Sequence, residues 1–280
     1  MATETRTIDY ADGDLALRGV LACEAGASPR PGVLVAHAWG GRTPFEDEKA
    51  AWLADRGYVG LAIDVYGAGV VGADPEENAG LMQPFLDDRA LLLRRLNAGL
   101  ELLRAQPEVD AGSTAIMGFC FGGLAALDLA RSGSDVAGAI SIHGIFAPPP
   151  ETRSITAKVL ALHGWDDPMA TPEDVVAFAA EMSAAGADWQ LHGYGNTLHA
   201  FTNPEANDPA MGVGYSESAD RRCFQAIENF LAELRLQKAG AQMWCGPQGP
   251  GEALALAFVM PVRDLSVVAA PRHGHCGVAW

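Results

Sequence analysis

Short, nearly unbroken apolar runs recur along the first 236 residues, at 32–38, 58–64, 114–117, 136–142, 157–162 and 189–194. Runs of that length without alternation predict strands covered on both faces. Residues 15–23 alternate instead and predict a first, antiparallel strand. Helical signals fall between the apolar runs, over about 46–56, 87–105, 124–131, 171–185 and 217–236. In the second of these Leu91, Leu92, Leu96, Leu100 and Leu103 recur at helical spacing and predict a core-facing stripe. In the fourth, Thr171-Pro172-Glu173 supplies a cap with proline at the first helical position, and Gly186 a stop. Strands alternating with helices predict an α/β fold, a mostly parallel sheet with right-handed crossovers and helices on both faces. Residues 68–84, rich in glycine, proline and acids, predict a surface excursion, and 195–214 a long loop. Beyond residue 236 the pattern changes to glycine, proline and apolar residues, with a breaker at Gly246-Pro247-Gln248-Gly249-Pro250-Gly251 and a candidate strand over 254–262. The chain is therefore expected to divide into an α/β domain, 1–236, and a C-terminal appendage, 237–280, either loosely docked or an oligomer contact.

One junction stands out within this pattern. Between the strand ending near Met117 and the helix beginning near Leu124 lies Gly118-Phe119-Cys120-Phe121-Gly122-Gly123, which leaves almost no residues for the turn. A turn so tight forces its central residue into strained backbone geometry that only neighbours without a β-carbon tolerate. G-x-C-x-G here is the cysteine form of the G-x-S-x-G nucleophile elbow. In an open parallel sheet functional groups collect outside the carboxyl ends of the strands. That rule selects Cys120, the pair Asp166 and Asp167 in Leu162-His163-Gly164-Trp165-Asp166-Asp167-Pro168, and His199 in the loop after the last strand. Nucleophile, acid, base is the chain order of α/β-hydrolases. A thiol near its free pKa is mostly protonated at neutral pH, so it needs an imidazole to take its proton and a carboxylate to fix that imidazole. The N–H of Phe121 is one expected oxyanion donor, and the N–H of Trp39, in the loop after the 33–38 strand, the second. Trp39, Phe119, Phe121, Trp165 and Phe201 are expected to line an apolar pocket or to fill the core beneath the elbow, with His37 and His143 at strand ends nearby.

Composition narrows the function classes. The formal net charge of −16 over 280 residues argues against nucleic acid or an anionic membrane surface as partner. No apolar run reaches the roughly 18 residues needed to span a bilayer, and the N-terminus carries no apolar leader, so a cytoplasmic protein is expected. Five scattered cysteines, Cys23, Cys120, Cys223, Cys245 and Cys276, suit a reducing compartment and imply no disulfide framework. His273-Gly274-His275-Cys276 offers three ligand types in four residues without a fourth, so no metal and no cofactor are expected.

Over roughly residues 10–236 the sequence resembles the dienelactone hydrolase family of α/β-hydrolases. The pieces that carry the likeness are Gly118 to Gly123, His163-Gly164-Trp165-Asp166-Asp167-Pro168, His199-Ala200-Phe201-Thr202-Asn203-Pro204 and Ala36-His37-Ala38-Trp39. The resemblance implies Cys120 as nucleophile, His199 as base and, from the G-x-x-D spacing, Asp167 as acid. It implies a thioester acyl-enzyme and a small-molecule ester or lactone substrate, in a monomer or small homo-oligomer. Two positions depart from the family. Ala38 stands where a glutamate restrains the thiol, so that either Cys120 and His199 rest as an ion pair or another acid such as Glu46 or Glu48 substitutes, and Asn203 stands where an arginine grips the substrate carboxylate. With Ala38 and Asn203 beside His37, Phe119, Trp165 and Phe201 in the expected pocket, the expectation moves from a dienelactone to a neutral ester or lactone. Arg89, Arg94 and Arg95 remain as alternative carboxylate anchors. A non-catalytic scaffold that binds a small molecule, and a thioesterase or acyltransferase using the same triad, are the competing readings.

Overall fold

The computed structural model describes residues 2–26 and 28–243, with side chains described through residue 235. Its centre is an eight-stranded sheet whose strands are β1 (Thr3–Asp12), β2 (Leu15–Glu24), β3 (Arg30–Ala36), β4 (Val59–Ala62), β5 (Val109–Phe119), β6 (Gly138–Ile142), β7 (Lys158–Gly164) and β8 (Trp189–Tyr194). The spatial order is β1-β2-β4-β3-β5-β6-β7-β8. The first two pairings, β1 with β2 and β2 with β4, are antiparallel, and every later one is parallel.

Successive side chains of a strand leave opposite faces, and here both faces are covered. Leu34, Ala36 and Ile116 join the core under α2 (Pro75–Asp87), α3 (Arg89–Arg104), α4 (Phe121–Arg131) and α5 (Pro172–Ala184). Val33, Val35, Met117 and Phe119 join a second core under α1 (Pro44–Ala54) and α6 (Glu217–Met243). The near-continuous apolar runs of the sequence follow from this two-sided burial. Caps set the helix starts. Thr43 with Glu46, and Thr171 with Asp174, close reciprocal capping boxes, each with proline at the first helical position.

Four expectations need correction. β1 was not anticipated, because its residues are mostly exposed and alternate too weakly for a core-facing strand; it is an edge strand held by ten paired positions with β2. The stretch 68–84 is not all excursion. Asp74 accepts from the N–H groups of Glu76 and Glu77 and Pro75 follows it, which starts α2, a helix with only Phe85 buried. The loop 195–214 contains a small hairpin, β9 (Asn207–Asp208) and β10 (Val213–Gly214), around a 3₁₀ turn at Pro209–Met211. Helix α6 also runs on past the expected end at residue 236 to Met243. The proposed appendage from residue 244, with its candidate strand at 254–262 and His273, His275 and Cys276, lies outside the described residues.

One buried ionic cluster ties the helices to the loop that follows β6. Arg131, fully buried, reaches Glu181 with two bonds of 2.8 and 2.6 Å and donates to the carbonyl oxygens of Phe146 and Ala147. Arg89 forks onto buried Asp128 at 2.6 and 2.8 Å and also donates to the Ala147 oxygen. The prediction is that Arg131→Met, which strands part of this network, lowers stability by about 3 kcal/mol. Arg56→Met, which breaks an exposed pair with Glu228, should cost less than about 1 kcal/mol. Urea unfolding of both variants checks this, and equal losses would contradict it.

Candidate active site

β5 ends at Phe119 and α4 begins at Phe121, so Cys120 alone makes the turn. Its φ of 55° and ψ of −114° lie in a region that residues with side chains seldom occupy. The flanking glycines explain how the turn closes. A β-carbon on Gly118 would come within 2.1 Å of the Gly122 oxygen, and one on Gly122 within 2.3 Å of the Ala36 oxygen. The Cys120 N–H bonds to the Ile142 oxygen at 3.0 Å and to Nδ1 of His143 at 3.2 Å. The side chain is half-buried, whereas Cys23 and Cys223 are buried. The N–H of Phe121 is the first of α4, so it has no acceptor within the helix.

His199 is held by its backbone against β10, with its N–H on the Gly212 oxygen at 2.9 Å and its own oxygen accepting from Gly214 at 3.0 Å. Its Nδ1 donates to Oδ2 of Asp167 at 2.7 Å, and Oδ1 of Asp167 accepts from the Met169 N–H at 2.8 Å. Asp167 is buried and Asp166 exposed, so of the two neighbours only Asp167 meets the histidine. Nε2 of His199 is buried without a hydrogen-bond partner among the described residues. Burial alone would lower the pKa of this imidazole. The charge on the Cys120 sulfur and the bond to Asp167 outweigh it and raise the pKa to about 10, so the ring is cationic at neutral pH.

Cys120 and His199 open into a cavity of about 410 Å³. Of the expected pocket residues Ala38, Trp39, Phe119 and Asn203 line it. Four others lie elsewhere. His37, Phe121 and Phe201 are fully buried behind the wall, and Trp165 is 46% exposed on the outer surface. The wall also holds residues that periodicity does not reveal: Met82 of α2, Ile145, Met169, His143 and Glu46. For Glu46 a signal existed in Thr43-x-x-Glu46, the capping-box spacing. Its carboxyl group accepts from the Thr43 N–H (2.9 Å) and hydroxyl (2.8 Å) and from the Ala38 N–H at 3.3 Å, so the loop carrying Trp39 is anchored on α1. Glu48 does not line the cavity.

His143 has φ of 38°, a second strained residue at the site. Because a backbone N–H donates to its Nδ1, the ring proton sits on Nε2, which donates to the Thr202 hydroxyl at 2.9 Å. Burial, and then the charge of His199, hold it well below its ordinary pKa. It packs edge-on to His199, 5.1 Å between ring centres, as a neutral neighbour. None of the candidate arginines reaches the site: Arg89 is committed to Asp128, and Arg94 and Arg95 to Asp12. Among the described residues no lysine or arginine lines the cavity. Among the described residues no group of three or more His, Cys, Asp or Glu could hold a metal ion, and no helix is long and apolar enough to cross a membrane.

Comparison with known proteins shows the family. The model of the dienelactone hydrolase family matches residues 17–235. A carboxymethylenebutenolidase from a Pseudomonas species is 35% identical over 212 residues, covering 71% of this chain and 84% of the relative. A probable 2-oxo-3-(5-oxofuran-2-ylidene)propanoate lactonase from a Bradyrhizobium species is 28% identical over 224 residues, 72% of this chain and 86% of the relative. Among solved structures, a dienelactone hydrolase-like promiscuous phosphotriesterase from metagenomic libraries superposes with a TM-score of 0.78 at 36% identity, over 84% of this chain and 99% of that one.

The His199–Asp167 pair predicts a pH-dependent stability. Folding raises this imidazole from its ordinary 6.5 to about 10, through the charge of the Cys120 sulfur first and the bond to Asp167 second, so the native ring keeps a proton that the unfolded ring releases above 6.5. The stabilisation is therefore complete below pH 6.5 and is lost as the pH rises through about 10. In urea unfolding from pH 6 to 10, the stability gap between the unaltered protein and Asp167→Asn should be widest at pH 6 and close toward pH 10. A gap that widens with pH would refute the assignment.

Proposed function

The chain belongs to the dienelactone hydrolase family, and from that premise we propose that it hydrolyses uncharged carboxylic esters or lactones through a thioester on Cys120. The observation that carries this is the half-buried thiol at the elbow, sharing one cavity with a histidine whose Nδ1 is bound to Asp167 and whose Nε2 has no protein partner. The Cys120 sulfur attacks the substrate carbonyl carbon, and the electron pair of the carbonyl moves to oxygen. The Phe121 and Trp39 N–H groups receive that oxyanion. On collapse the carbon–oxygen bond to the leaving group breaks, and His199 gives its Nε2 proton to the departing alkoxide. Neutral His199 then takes a proton from water, whose oxygen attacks the thioester carbon; the carbon–sulfur bond breaks with its electron pair going to sulfur, the carboxylic acid leaves, and the Cys120 thiolate beside protonated His199 is restored. Asp167 keeps Nδ1 protonated throughout and stabilises the imidazolium.

The choice of uncharged substrates rests on the wall. Without a lysine or arginine among the described residues of its wall, and with Asn203 and Glu46 in it, the cavity offers a substrate carboxylate no described cationic partner apart from His199, which the chemistry uses. Apolar Phe119, Ile145, Met82 and Met169 suit an alkyl acyl or leaving group. An uncharged phosphotriester, the substrate class named for the metagenomic relative, meets the same charge requirement and is a second substrate to assay.

Hydrolysis of p-nitrophenyl butyrate should fall at least about 1,000-fold in Cys120→Ala. Equal rates in the two proteins would remove Cys120 as nucleophile, and binding without turnover would favour a scaffold. Iodoacetamide should alkylate Cys120 ahead of the buried Cys23 and Cys223, as read by mass spectrometry. A monosuccinate ester should be a poorer substrate than the butyrate by about tenfold or more, and Asn203→Arg should narrow that ratio.

A further inference from the structure

His37, expected in the pocket, is instead buried behind it, and its hydrogen bonds lead to one peptide unit. The backbone N–H of Val65 donates to Nε2 of His37 at 3.1 Å, which requires that nitrogen to be unprotonated. The ring proton therefore sits on Nδ1, and Nδ1–H donates to the Ala38 oxygen at 2.7 Å. Full burial pushes the ring's pKa below 6.5 despite that bond, in keeping with a neutral tautomer. The Gly41 N–H gives the same Ala38 oxygen a second bond at 3.2 Å.

The remaining groups of this pair of residues are also held. The Ala38 N–H is on Glu46, and the Tyr66 hydroxyl donates to the Trp39 oxygen at 2.9 Å while its ring packs edge-on to His37 at 4.6 Å. Of the backbone polar groups of Ala38 and Trp39, only the Trp39 N–H has no partner among the described residues. In a trans peptide the N–H points opposite to the C=O, and no peptide bond here is cis. Anchoring the Ala38 oxygen therefore aims the Trp39 N–H away from His37. Ala38 and Trp39 both line the cavity that Cys120 opens into.

We propose that His37 is a positioning residue for the oxyanion hole, a neutral imidazole that holds the Ala38–Trp39 peptide with the Trp39 N–H presented to an acyl oxygen at Cys120. The proposal rests on the assignment of Cys120 as nucleophile. Its rationale is that a donor aimed before the reaction need not reorient when charge develops on the substrate oxygen.

Two variants separate the ring's two bonds. Asparagine can place its amide nitrogen near the position of Nδ1 and keep the donor to Ala38, while losing the acceptor for Val65. Glutamine can keep an acceptor for Val65, but its donor lies beyond the reach of Ala38. With p-nitrophenyl butyrate, kcat of His37→Gln should fall about 10- to 100-fold with KM changed by less than about threefold, and His37→Asn should recover most of the loss. Alkylation of Cys120 by iodoacetamide develops no oxyanion, so its rate should stay within about twofold of the unaltered protein in both variants. Unchanged kcat in His37→Gln, equal losses in the two variants, or alkylation falling in step with kcat would each overturn the proposal. If the unaltered protein and Cys120→Ala turned over equally, the nucleophile assignment itself would have failed, an outcome distinct from those three.

Discussion

Between a buried strand and a buried helix the chain turns on one residue, and that residue is not glycine. Holding Cys120 at φ 55° costs on the order of 1–3 kcal/mol, and the surroundings must over-determine it. They do so by close approach: every residue of α4 is buried, Gly118 faces the Gly122 oxygen, and Gly122 faces the oxygens of Ala36 and His37. The last contact reaches furthest. It presses the start of α4 against the end of β3, so the loop leaving β3, with Ala38 and Trp39, has to pass beside the cysteine. Cys120 and the expected second oxyanion donor are thus neighbours because one glycine has no side chain.

Around this contact the polar groups fall into two kinds. Most are committed to one another: Glu46 to Thr43 and Ala38, His143 to Cys120 and Thr202, His37 to Val65 and Ala38, Arg131 to Glu181 and the Phe146 carbonyl. A buried polar group with its partners in place cannot rotate without losing them, so these bonds make the wall rigid. The Trp39 N–H and Nε2 of His199 are not committed in this way, and both belong to residues that line the cavity. Their lack of protein partners matches groups that meet a substrate.

The parallel strands were legible because each is buried on two sides, and α5 because Thr171-Pro172 and Gly186 mark its ends. The edge strand β1 and helix α2 were not, for one reason: both bury little, and a mostly solvated element leaves a weak periodic signal. Cys120, His199 and the pair Asp166 and Asp167 could be named since strand ends in a parallel sheet converge on one edge whatever the loops do, and the family resemblance then selected Asp167 from the pair. The cavity wall could not. Met82, Ile145 and Met169 come from three separate segments, and the position of His143 depends on the pairing of β6 with β5 and β7. The side chain of His37 leaves the strand just beyond its last paired residue, where alternation no longer decides direction, so its side of the wall cannot be read from the sequence.

That division has an evolutionary side. The groups assigned to the chemistry are fixed to the sheet edge by backbone bonds and by glycines that tolerate no β-carbon. Much of the wall they face is made of side chains from connecting segments, one of them on the thinly buried α2. Replacing Met82 or Met169 alters what fits the cavity while leaving the elbow's packing intact, so selection can redraw substrate preference without passing through an unfolded or inactive intermediate.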